Sequence, residues 1–457
     1  MRDKLLTLLC CSGFWGVSMP GHAQSLLDVY QKAKAQDNPY RAARRSLEAA
    51  LEKLPQARAG FLPTINMVAN KNQQTGEASF SQAPYVTRDV RSWNWTAQLT
   101  QPLIRWSNWA AYGQADALVT QAKEQFSLAE QELMVRTAQA YFDVQVAMQS
   151  VQVAQAQLQA IHEQLTLAQR TYEVGMGTIT DVHEAKAKQA LNMAQRAAAL
   201  NDLTARQAEL EKLAGEYVAL PPMQLTKSLP ALDPIQLDDW VTVALQQNPQ
   251  IRIQQAALTA ASKEVSKNMA AHAPTLDLVA NRAGNYSSGS LSSPAALTIR
   301  SNSYQAGLQL TIPLYAGGAT QSKVREAVAL AEKAKEELTG AQRNAISQVR
   351  QTFAGVMNSQ AQVEALEAAV EASQNSVESN KIGFKVGTRI NPDVLNAEQQ
   401  LYTVMRDLNK ARVDAVMQSL KLKATTGSLD ADDLAAVEKL MQPIQPVTLK
   451  PEHQVSQ

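Results

Sequence analysis

Arg170 to Lys188 reads RTYEVGMGTITDVHEAKAK, and Lys381 to Gln399 reads KIGFKVGTRINPDVLNAEQ. The two stretches share one frame: an aromatic residue (Tyr172, Phe384), Val-Gly (Val174-Gly175, Val386-Gly387), Asp-Val (Asp181-Val182, Asp393-Val394) and an alanine (Ala185, Ala397), all at one constant offset. Each reads as a turn between two helices. Gly175 and Gly387 release the first helix, and an oxygen of Asp181 or Asp393 can meet the unpaired amides that open the second. A long-range repeat of this kind marks a duplicated chain.

The duplication extends well beyond the turns. NPYRAARRSLEAALEKLPQARAGFLPTINMVAN from Asn38 is matched by NPQIRIQQAALTAASKEVSKNMAAHAPTLDLVAN from Asn248, and LTQPLIRW from Leu99 by LTIPLYAG from Leu310. The first half spans 24–215 and the second 237–427, with a proline-rich linker at 216–236. Residues 428–457 carry a short acidic helix and a mobile tail. Inside each half the order is helix, alternating segment, polar loop, alternating segment, very long helix, turn, long helix.

The alternating segments have period two. In WNWTAQLTQ, Trp93, Trp95, Ala97 and Leu99 share one face, while Asn94, Thr96, Gln98 and Thr100 share the other; YQAGLQLTI from Tyr304 repeats the pattern. Ile65, Met67 and Ala69, and Leu276, Leu278 and Ala280, alternate in the same way. These predict a strand pair at about 61–102 and another at about 273–314, each strand about 9 to 10 residues long, the length of a tilted membrane strand. Pro63 and Pro274 open one strand of each pair, and Pro102 and Pro313 close the other. The loops, at about 71–91 and 282–302, are rich in Ser, Asn, Gln and Gly. Ordinary hairpins in a soluble sheet are the alternative, but the sequence offers no further strands or short helices to cover the apolar faces.

Four strands cannot close a barrel, and lipid tolerates no open sheet edge, so a membrane reading requires oligomers. Past the strands, residues 104–172 contain no proline and could run as one helix about 100 Å long. Val151, Ala154, Leu158, Ile161, Leu165, Ala168 and Tyr172 make a heptad stripe that Val363, Leu366, Val370, Ser373, Val377, Asn380 and Phe384 repeat with less apolar character. The turns at 173–181 and 385–393 then become the far tips of two helical hairpins.

Composition narrows the class. Aromatic residues make up 5% of the 457, and the formal net charge is +1, so neither a large compact core nor a nucleic-acid surface is indicated. Arg2 and Lys4 precede an apolar run over 5–19 and small residues ending at Ala23, which reads as a secretory signal over 1–23. Both cysteines, Cys10 and Cys11, fall inside it, which removes disulfide and cysteine metal chemistry from an exported chain. No later segment has the roughly 18 apolar residues of a spanning helix.

On these residues the chain resembles the TolC-type outer-membrane exit ducts over nearly all its length. The resemblance implies a mainly α fold with a transmembrane β part, built as a homotrimer: a 12-strand β-barrel continuous with a periplasmic α-helical barrel. It also implies a passive outer-membrane channel of type I secretion or multidrug efflux, with outer-membrane lipid, a periplasmic adaptor and an inner-membrane pump of ABC or RND type as partners. Asp393 fits a carboxylate ring at the entrance, and Asn396 stands where relatives place a second one. Arg389 matches the arginine that holds the tip closed against a neighbouring Thr-Asp pair, here Thr180 and Asp181. Phe384 replaces a tyrosine whose hydroxyl joins that latch.

Other chemistry is not indicated. DVHEAKAKQ around His183 and Glu184 lacks the second histidine of a zinc helix, Gly317-Gly318 is followed by no Gly-Lys-Ser, and no nucleophile elbow occurs. No catalytic residue, metal or cofactor is expected. Trp93, Trp95, Trp106, Trp109 and Tyr112 read as lipid-facing and interfacial anchors. The rival from another class is a periplasmic coiled-coil adaptor or structural protein with no channel of its own.

Overall fold

A computed structural model describes residues 25–81, 83–226, 234–295 and 297–443. The expected signal at 1–23 and the tail beyond 443 lie outside the described residues. The first half runs α1 (Leu26–Gln36), α2 (Asn38–Leu51), α3 (Lys53–Ala59), β1 (Thr64–Ala78), β2 (Val86–Ile104), α4 (Trp106–Glu173) and α5 (Ile179–Ala214). After β3 (Met223–Leu225), the second half repeats it as α6 (Leu237–Gln247), α7 (Pro249–Met269), β4 (Thr275–Ser287), β5 (Ile299–Thr311), α8 (Ala319–Lys385) and α9 (Asn391–Thr426), followed by α10 (Ala431–Glu438) and β6 (Met441–Pro443).

The long helices α4 and α8 contain 68 and 67 residues, roughly 100 Å each. Proline is absent from both, and neither has an internal cap. α4 packs along both α5 and α9, so its apolar stripe is wider than one heptad seam. Val153, Gln157 and Ala160 are buried beside Ile161, Leu165 and Ala168, whereas Val151, Ala154 and Leu158 are only half-buried.

The four long strands form one antiparallel sheet in the order β1-β2-β4-β5. β2 pairs with β4, Thr100 facing Val279 and Asn94 facing Asn285, which fuses the two halves into one sheet. β1 and β5 are left as edges. The strands hold 15, 19, 13 and 13 residues, longer than the 9 to 10 expected. Much of what the sequence suggested as polar loop is ladder. Cross-strand polar pairs carry it, as where the Gln73 amide donates to both oxygens of Asp89 at 3.1 Å. Pro102 also departs from expectation, because β2 continues through it and absorbs the missing amide in a bulge between Pro102 and Ile104.

Beneath the sheet, the Arg105 guanidinium grips Asp277 through two hydrogen bonds of 2.9 and 2.7 Å, tying the end of β2 to β4. Farther along the helices lies the largest apolar core, where α1, α10 and the C-terminal end of α5 meet the middle of α4 and the C-terminal half of α9. The 216–236 segment read as an extended linker contributes to this core. Val218, Leu220 and Leu225 are buried in it, and Met223–Leu225 pairs antiparallel with Met441–Pro443. Apolar residues at alternate positions between prolines gave the segment a face to bury.

Candidate functional site

The two hairpin tips share one backbone plan. In the first, Met176 and Gly177 N–H donate to Thr171 O at 2.8 and 3.0 Å; in the second, Thr388 and Arg389 N–H donate to Gly383 O at 2.9 and 3.2 Å. The pivots are Gly175 at φ +76° and Gly387 at φ +79°, in the left-handed region that a side chain penalises.

Inside this plan the two tips exchange bulk. Gly383 is packed under the Arg389 stem, so that a Cβ there would lie 2.7 Å from Arg389 Cγ. The equivalent pair in the first tip is Thr171 and Gly177, with the glycine on the opposite side, where a Cβ would meet Thr171 Oγ1 at 3.0 Å. A small residue at either place lets the turn close, and only the second tip thereby carries a cation.

The return helices open differently. Thr178 caps α5: Asp181 N–H donates to Thr178 Oγ1 at 3.2 Å, and Thr178 N–H donates to Asp181 Oδ2 at 3.1 Å. Asp181 is thus the third residue of a capping box rather than the cap itself. At α9 the cap position is Ile390, which has no side-chain oxygen to offer. Only half of the box remains, Ile390 N–H donating to Asp393 Oδ2 at 3.4 Å. Arg389 Nη1 stands 3.9 Å from the same oxygen. Within one chain, Arg389 therefore faces Asp393 and forms no ion pair with Asp181. Thr180 is exposed and Phe384 half-buried.

Three residues that the sequence reading missed complete the tips. Lys188 on α5 donates to Asn396 Oδ1 on α9 and lies 3.5 Å from Gln399 Oε1, joining the two hairpins. Glu398, 2% exposed, pairs with Lys381 at 2.7 Å. Asn391 is buried with neither side-chain polar atom partnered among the described residues. A carboxylate interrupting the apolar run Val394, Leu395, Leu401 and Tyr402 was the available signal for Glu398. Burial, then the charges of Glu398 and Glu163, push the Tyr402 hydroxyl up to about 12. No cluster of metal-ligating side chains occurs among the described residues.

Both halves of the chain have counterparts in known proteins. Residues 29–216 and 240–428 each match the family described as outer membrane efflux protein, a transport family. The chain is 29% identical to the proteases secretion protein PrtF of Dickeya chrysanthemi, over 95% of this chain and 94% of that protein. It is 32% identical to the alkaline protease secretion protein AprF of Pseudomonas aeruginosa, over 91% and 87%. A crystal structure of CusC, studied for folding and transmembrane channel formation, superposes with a TM-score of 0.76 at 16% identity, covering 89% of this chain and 92% of that one, a likeness of fold. The double match sets aside the adaptor alternative: the chain belongs to the outer membrane efflux protein family, whose members are channel proteins of the outer membrane reaching into the periplasm.

Proposed function

We propose that the protein is a passive exit duct made of three copies, with β5 of each pairing with β1 of the next to close a twelve-stranded barrel. One observation carries this reading. A single chain leaves two unpaired strand edges and an exposed face bearing Ile65, Met67, Leu308 and Leu310. Lipid and a closed ring of strands satisfy both at once, since unpaired backbone groups cost several kcal/mol each in hydrocarbon. Trp106 and Trp109, exposed at the start of α4, then fall at the periplasmic interface. The helical hairpins of the three copies continue the barrel as a tunnel. In this reading residues 24–215 and 237–427 are the two structural repeats of each copy.

At the tips, three copies of Asp393 form the entrance ring, which favours cations. Asn396 adds no charge to it. Arg389 is the latch toward Thr180 and Asp181 of the adjacent hairpin, with Asp393 as its partner inside the chain. Phe384 lacks the hydroxyl that would contribute a further hydrogen bond of about 0.5 to 1.5 kcal/mol. A periplasmic adaptor and an inner-membrane pump, of ABC or RND type, engage the tip end. PrtF and AprF are named for protease secretion, which supports type I protein export. The family's own description supports a second reading, efflux of small molecules.

Planar-bilayer conductance together with oligomeric mass in detergent tests the duct. Small cation-preferring steps from a trimer, enlarged by Arg389→Ala, are expected. A soluble monomer with no steps would sink the reading. A deletion strain that loses exported protein but keeps its drug resistance would select type I secretion over small-molecule efflux.

A further inference from the structure

The exposed face of the sheet changes character along its length. Near the helices its rows are aliphatic: Leu276 beside Leu310, Leu278 beside Leu308, Ala280 beside Ala306. Toward the hairpin loops the same face becomes cationic and aromatic, with Arg282 in register with Tyr304 and Tyr286 with Arg300. The Arg282 guanidinium lies 5.0 Å from the Tyr304 ring centre and 5.7 Å from that of Trp95, and Arg300 lies 5.4 Å from that of Tyr286. Trp95 can lie across β4 because residue 284 is glycine; a Cβ there would collide with the indole Nε1. On β1, Lys71 occupies the same face opposite Trp93.

Neither Arg282 nor Arg300 has a carboxylate partner among the described residues. The rings lie against the two guanidinium groups, whose N–H groups remain donors for another partner. An unpaired cation is costly in hydrocarbon, so its height decides what it meets. From Ile312 to Tyr304 is about 20 Å of height for a tilted strand, close to the roughly 25 Å of an apolar band. The cations therefore emerge at headgroup level on the loop side, opposite the helices, which is the outer leaflet.

We propose that Arg282 and Arg300, framed by Trp95, Tyr286 and Tyr304 and extended by Lys71, form a binding site for the headgroup phosphates of an outer-leaflet lipopolysaccharide. The guanidinium fork matches a phosphate oxygen pair, and the neighbouring aliphatic rows take the acyl chains. The proposal rests on the barrel reading above.

Native mass spectrometry of the detergent-solubilised protein with bisphosphorylated lipid A, with its dephosphorylated form, and with inorganic phosphate as competitor tests it. Wild-type protein is expected to retain the bisphosphorylated lipid at least tenfold more tightly than the dephosphorylated one. Arg282→Gln with Arg300→Gln should abolish that preference, and Arg282→Lys with Arg300→Lys should keep part of it while conductance stays at the wild-type value. Equal retention of the two lipids by the wild type would overturn the site and leave the duct intact. Displacement of the lipid by millimolar inorganic phosphate would overturn it too, marking a free-phosphate site. A wild-type chain that never enters bilayers would take down both readings.

Discussion

The middle of the helical body and its tips are built from the same helices by different means. At the middle, Leu26, Tyr30, Leu133, Phe142, Leu210, Met417, Leu420 and Leu434 are almost wholly buried in one apolar cluster. At the tips the corresponding cluster is Ile161, Leu165, Ala168, Val182, Ala185 and Leu395, with fewer and smaller side chains. Polar contacts make up the difference there, Lys188 on Asn396 and Lys381 on Glu398, while the buried side-chain atoms of Asn391 have no partner among the described residues. Side-chain volume fixes the middle, whereas the tips are held by contacts that water can replace. Local stability therefore falls from the anchored middle of the helical body toward its tips.

The contrast is sharpest for single substitutions. Phe142→Ala should cost about 3 to 5 kcal/mol, because a fully buried ring leaves a cavity; urea unfolding followed by circular dichroism reads it. A loss below about 1 kcal/mol would mean that the central core does not anchor the helices. At the tips the sign should reverse. Asn391→Leu removes two buried polar atoms that have no partner among the described residues and should stabilise by about 1 to 3 kcal/mol, seen as slower amide exchange in the first turns of α9. Destabilisation instead would show that Asn391 finds partners in the assembled protein.

Smaller effects separate the two tips from each other. Gly387→Ala meets open space and loses only the left-handed conformation, a cost of about 1 to 2 kcal/mol. Amide exchange confined to 385–393 should report it. Ile390→Thr supplies the cap that Thr178 already gives the first hairpin, and a gain of about 0.5 to 1 kcal/mol in the same exchange measurement is expected. No gain would mean that the Arg389 and Asp393 contact already fixes that helix start.

Alkaline unfolding compares the middle with its own hydroxyls. Burial, then the charge of Glu438, pushes Tyr141 up to about 12. An unfolded tyrosine ionises near 10. Stability from this group is therefore complete below pH 10 and lost as pH rises toward 12. Tyr141→Phe should flatten that decline in an alkaline unfolding series.

How far the sequence could be read differs between these regions. The turns were legible because glycine pivots act within a few residues of chain, although the cap of the first return helix, read as Asp181, is Thr178. Strand alternation and proline-free helices were legible for the same reason. The strand lengths were misjudged, because polar residues such as Gln73 and Asp89 enter a ladder only when a partner strand faces them. The linker was misjudged because its burial depends on Met441 and the helices α4 and α9, far away in sequence.

Sequence alone determined the duplication, the element types and the tip turns, since local backbone preference and side-chain period are properties of neighbouring residues. Only the tertiary structure decided that β2 pairs with β4, that Lys188 holds Asn396, that Glu398 is buried on Lys381, and that Arg282 sits between two rings. Those contacts join residues whose spacing along the chain carries no period, and the register of packed helices and paired strands alone brings them together.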